Sequence, residues 1–145
     1  MTHSLFYDTI IHQKHKFGVS DEIFGRFKTY NKGNFNHKPN NIWVVDYGFE
    51  EGITLLEDLV FSELYDYLEN PEFHDRPTEY VDPQFTHINS EYMESLIEKT
   101  IKDHPVLQKT IRKVKKEYIG EALTDPYFLE SVRLYPEKYL EDYYN

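Results

Sequence analysis

The residues of this chain best suited to chemistry are carboxylates and histidines. There are 26 Asp and Glu, seven His and no Cys, so disulfides, thiolate catalysis and cysteine-ligated zinc are excluded. Carboxylates in such number supply pairs for general acid/base work, which requires two of them held across a cleft in environments that split their pKa values. A second chemistry is metal ligation. His12 and His15 are separated by two residues, and His74, Asp75, Glu79 and His87 fall in one irregular stretch, so four nitrogen and oxygen ligands are free to converge there as the centre of a metal-dependent hydrolase or nuclease. Their spacing matches no zinc-hydrolase pattern, which sets two histidines one helical turn apart around a glutamate. The six glycines form no phosphate loop, nucleophile elbow or dinucleotide fingerprint.

Charge is distributed unevenly. The net formal charge is −10; residues 1–45 contribute +3, residues 46–82 contribute −11 through twelve acids against Arg76 alone, and the remainder contributes −2. The middle segment repels phosphate backbones and attracts basic proteins. Aromatic residues make up 17% of the chain, with 13 Tyr, a residue that offers wide contact area at low entropic cost.

The element that must position these acids is a central helix over residues 54–70. Thr54 with Glu57 three residues later has capping-box spacing and predicts its start. Leu56, Val60, Leu64, Tyr67 and Leu68 recur on one stripe, with Ile53 and Leu59 at its margins, and Asp58, Ser62, Asp66 and Glu69 oppose it. The predicted contacts for a cationic partner are Glu57, Asp58, Asp66, Glu69, Glu72 and Asp75, with Tyr65 and Tyr67 as aromatic anchors.

Around that helix, residues 5–11 read as a strand, residues 12–16 as a polar basic loop, and residues 21–30 as a short helix capped by Ser20. Residues 42–47 form the clearest strand, apolar enough for burial on both faces. Asn89 or Ser90 caps a helix carrying Met93, Leu96, Ile97 and Ile101. Another is expected from His104 to Gly120, with Leu107, Ile111, Val114 and Tyr118 inward and Lys109, Arg112, Lys113, Lys115 and Lys116 outward. Asp125-Pro126 and Pro136 open two more. The expected fold is α+β, one compact domain over residues 1–145, predominantly helical after residue 53 with a small N-terminal β-sheet. With no apolar run of membrane-spanning length and no secretory leader pattern, a cytoplasmic location is expected.

In size, acidity, lack of cysteine and aromatic richness the chain resembles the bacterial immunity proteins of toxin–immunity pairs, a likeness of general character carried by no motif. It implies a small protein-binding inhibitor that neutralises a basic partner, such as a nuclease toxin, by occluding its cationic site. No cofactor is expected, and direct binding of nucleic acid or membrane is not. Three alternatives stand beside it: a phage-encoded inhibitor of a host defence enzyme, the metal-dependent hydrolase with its site between residues 72 and 87, and a structural module that self-associates through Tyr139, Tyr143 and Tyr144.

Overall fold

Alternating aromatic and β-branched residues build the first hairpin. In the computed structural model, which describes residues 2–70 and 77–145, β1 (Leu5–Ile11) pairs antiparallel with β2 (Lys14–Ser20) and sets Ile11 opposite Lys14. His12 and Gln13 are left as a two-residue turn with φ of 49° and 69°, the signs a type I′ hairpin turn demands. Glycine or asparagine usually occupies such positions. Here His12 is braced edge-on against Phe35 and His37, at 4.5 and 4.8 Å between ring centres, and its N–H donates to His37 Nε2. The basic loop expected over residues 12–16 is therefore a tight turn, and its lysines belong to a strand.

Helix α1 (Ile23–Tyr30) follows, and β3 (Pro39–Val45) returns antiparallel along the other side of β1, with Phe6 opposite Trp43 and Asp8 opposite Asn41. Ser20 does not cap α1; its hydroxyl closes a turn on the backbone of Glu22 just ahead of the helix. Helix α2 (Glu51–Leu64) runs into a short 3-10 turn (Tyr65–Tyr67). It starts three residues before the expected capping box, leaving Thr54 an exposed residue of the helix proper. The earlier start has a packing reason: Gly52 sits inside the helix where an added Cβ would lie 3.3 Å from Leu107.

Helix α3 (Ser90–Asp103) begins as expected, with the Asn89 side chain accepting the Tyr92 N–H at 2.9 Å. The helix expected next is cut short. Helix α4 (Pro105–Thr110) ends after six residues, and β4 (Ile111–Lys113) pairs antiparallel with residues 43–45 of β3. Helical spacing of Leu107, Ile111 and Val114 lost to the edge of β3, whose buried backbone groups needed partners. Arg112 and Lys113 consequently lie on opposite faces of a sheet. Lys113 is held by Glu94 and Glu98 of α3, and Arg112 by Glu137. Of the five cations expected on a solvated face, Arg112 and Lys113 are buried and paired, while Lys109 and Lys116 stay exposed.

The chain closes with a 3-10 turn (Lys116–Tyr118) leading into α5 (Ile119–Thr124), then α6 (Phe128–Leu134) and α7 (Pro136–Tyr139). Gly120 lies within α5 and does not terminate a helix.

The four strands form one antiparallel sheet in the order β2-β1-β3-β4, and helices cover both of its faces. On one face Phe6, Phe17, Trp43, Val45 and Ile111 meet Ile53, Leu56, Val60 and Leu64 of α2, Met93, Ile97 and Ile101 of α3, and Leu107 of α4. On the other, Leu5, Tyr7, Ile42 and Val44 meet residues of α1 and α5 to α7. Double coverage explains why residues 42–45 are apolar without alternation. The four fully buried residues of α2's stripe are each worth about 1.5–3 kcal/mol of transfer free energy. The fold is α+β, with its sheet built mainly from the N-terminal third. Among the described residues, no helix is long and apolar enough to cross a membrane.

Candidate functional site

Helix α2 is held by its apolar stripe, so its orientation, and with it the direction of its acids, is set by the core. The side turned to solvent reads Glu51, Leu55, Asp58, Ser62 and Tyr65, successive residues three or four apart. All five are exposed. Leu55 and Tyr65 are 40% and 46% accessible, which places two large apolar groups among carboxylates. Tyr65 leans edge-on against Phe61 at 5.7 Å between ring centres. Asp66 is exposed in the 3-10 turn beside it. Among the described residues, neither Asp58 nor Asp66 forms an ion pair.

The other sequence-predicted contacts are placed differently. Glu57 is half-buried. Tyr67 turns inward, packing against the core and meeting Phe85 at 5.0 Å and His87 at 5.4 Å. Glu69 is answered from the hairpin: Lys14 Nζ donates to both its carboxylate oxygens, at 3.0 and 2.9 Å. Glu72 and Asp75 lie outside the described residues. The structure thus groups Asp58, Tyr65 and Asp66 and separates them from Tyr67 and Glu69.

The basic N-terminal segment and the acidic middle segment partly neutralise each other through this contact and a second one. Lys16, buried on β2, sends Nζ to Glu79 at 3.3 Å and to the Phe17 carbonyl. The rings of Tyr7, Tyr30 and Tyr80 surround it, with Nζ 5.9, 6.0 and 5.1 Å from their centres. Cation–π contact and a carboxylate replace the water this ammonium has lost. Burial raises the Tyr80 phenol above its ordinary pKa, with the neighbouring Tyr30, Glu79 and Glu69 adding to the shift.

Of the alternative metal set, His74 and Asp75 lie outside the described residues. Glu79 is turned to Lys16, and His87 is packed edge-on among Tyr67, Phe85 and Tyr92. Among the described residues no three acidic or histidine side chains are grouped to hold a metal ion. The C-terminal tyrosines have partners within the chain, Tyr143 while remaining 39% exposed. Tyr139 is buried, Tyr143 donates to the Asp46 carboxylate, and Tyr144 accepts from Trp43 Nε1 at 2.9 Å while donating to Glu98 at 2.6 Å.

Sequence reasoning misses Glu51 and Leu55 on the outward stripe. Both follow from starting the helix at Glu51 rather than Thr54, and the signal for that start is Gly52, which reads as a turn residue while its small size serves helix packing. Lys14 and Lys16 escape notice as internal partners because 55 and 63 residues separate them from Glu69 and Glu79.

No protein-family model matches this chain, no curated protein matches its sequence, and no solved structure matches its fold.

Proposed function

We propose that this protein is a binding inhibitor that recognises a basic partner, such as a nuclease toxin, and occludes its cationic site with the outward side of α2. The observation that carries the reading is the stripe Glu51, Leu55, Asp58, Ser62 and Tyr65, continued by Asp66, where carboxylates that form no ion pair among the described residues flank exposed apolar side chains on α2 and the 3-10 turn after it. Carboxylates stand in for the phosphates that a Lys/Arg-lined cleft expects, and Leu55 and Tyr65 supply contacts that desolvate the pair. No Lys or Arg occurs in residues 39–75, so α2 itself carries no charge that would repel a cationic surface.

The test is capture from host lysate at low and moderate salt, with mass-spectrometric identification, using the native protein and the Asp58→Lys/Asp66→Lys variant. The expected result is a basic protein retained in stoichiometric amount by the native chain, with association slowed on the order of tenfold or more by the reversal. Retention of nothing, or equal retention by both, overturns the proposal. Glu69 is left out of the reversal because Glu69→Lys would set two ammonium groups against each other at Lys14.

A further inference from the structure

Strand β4 pairs only with residues 43–45, so the first half of β3 has no named strand on its outer side. A cleft of about 530 Å³ opens there, lined by Asn40 and Asn41 of β3, Ser90 and Glu94 of α3, Lys116, and Gly120 of α5. Two buried polar residues lie side by side at this end of the sheet. Asn41, 2% exposed, stands opposite Asp8 of β1, 1% exposed, and its Nδ2 donates to both carboxylate oxygens at 3.0 and 3.3 Å. Asn41 Oδ1 is buried and, among the described residues, has no hydrogen-bond partner. Such an acceptor suffers the full loss of its hydration with nothing in return.

The pair is therefore rich in acceptors and short of donors. The neighbouring lysines do not supply them. Lys116 Nζ donates to the Asn40 carbonyl at 3.2 Å, and Lys113 is held between Glu94 and Glu98. Asp8 forms no ion pair among the described residues; it is hydrogen-bonded by the Asn41 backbone as well as its side chain, and Glu94 and Lys116 act on it with opposite charges. The missing complement is a small cationic group with several N–H donors.

We propose that this cleft binds a primary ammonium group, its nitrogen donating to Asn41 Oδ1, with the Asp8 carboxylate behind Asn41 supplying the opposite charge and the alkyl chain running out past Gly120. The same chemistry is offered by a free alkylamine and by a lysine side chain of another protein. This site does not depend on the acidic stripe of α2, and it stands or falls separately from it.

Gly120 supplies the test. A Cβ added there meets nothing within 4 Å, so a side chain can be built on the rim of the cleft; Gly120→Trp is the variant chosen to crowd it, and Gly120→Ala is its control. The probes are n-butylammonium chloride and Nα-acetyl-lysine N-methylamide, titrated against ¹⁵N-labelled protein with potassium chloride at matched ionic strength. The expected result is a saturable shift of the Asn41 side-chain amide, weakened at least tenfold by Gly120→Trp and by Asp8→Asn and kept by Gly120→Ala. Binding should tighten from pH 6 to pH 8 as Asp8, faced by Asn41, Glu94 and Lys116, loses its proton. Saturation by butylammonium alone assigns the site to a free amine, and saturation by both assigns it to a lysine side chain as well. A response no larger than that to potassium chloride, or one untouched by Gly120→Trp and Asp8→Asn, overturns the proposal.

Discussion

Asp8→Asn should make this protein more stable at neutral and alkaline pH. Burial raises the Asp8 carboxyl from an ordinary value of 3.8 to about 7, against the opposing hydrogen bond from Asn41. A folded pKa above the unfolded one means that the native state holds its proton more tightly. The associated stability is full below pH about 4 and is lost as pH rises towards 7. The difference between these two values corresponds to about 4 kcal/mol, so ionised Asp8 costs the fold up to that amount at pH 8. Asparagine has the same shape and carries no charge. Its Oδ1 can keep the bond from Asn41 Nδ2, and its own Nδ2 can donate to the orphaned Asn41 Oδ1. We expect Asp8→Asn to gain about 2–4 kcal/mol at pH 8, the low end allowing for relaxation around the native carboxylate, and close to nothing at pH 4. Urea unfolding of both proteins at pH 4, 5.5, 7 and 8 measures this, and the difference between them cancels every other titrating group. A difference that stays constant with pH, or a variant less stable than the native protein at pH 8, would refute the reasoning.

Two further outcomes test the packing directly. Gly18→Ala should cost about 1–3 kcal/mol, because its Cβ would fall 2.6 Å from the Tyr7 hydroxyl, whose ring is buried across the strand pair and tied to Tyr30 at 2.7 Å; an unchanged thermal midpoint would mean that the ring swings aside. Tyr144→Phe should cost about 1–3 kcal/mol by leaving the buried Trp43 N–H without its acceptor, and since Trp43 is the sole tryptophan its fluorescence reports the transition; stability equal to the native protein would show that water takes the hydroxyl's place.

Much of the architecture is legible in the amino-acid sequence by itself. The β-branched and aromatic residues of 5–11 specify β1, Asn89 and the stripe through Met93, Ile97 and Ile101 specify α3, and an apolar run without alternation specifies the double burial of β3. Of the candidate site, the outward direction of Asp58 and Asp66 follows from helical spacing alone. These features rest on contacts within a few residues of one another, which local sequence encodes.

What only the tertiary structure decided depends on partners far away in the chain. Residues 14–20 became a strand because β1 could pair with them across a His-Gln turn braced by Phe35 and His37, and because Glu69 and Glu79 neutralise the two lysines. Residues 111–113 left a helix they could have continued because the edge of β3 required hydrogen bonds, and in doing so drew Arg112 and Lys113 out of an expected basic surface into ion pairs. Long-range pairing overrides local propensity whenever an unpaired buried backbone group or charge would cost more than the few tenths of a kcal/mol per residue that propensity offers.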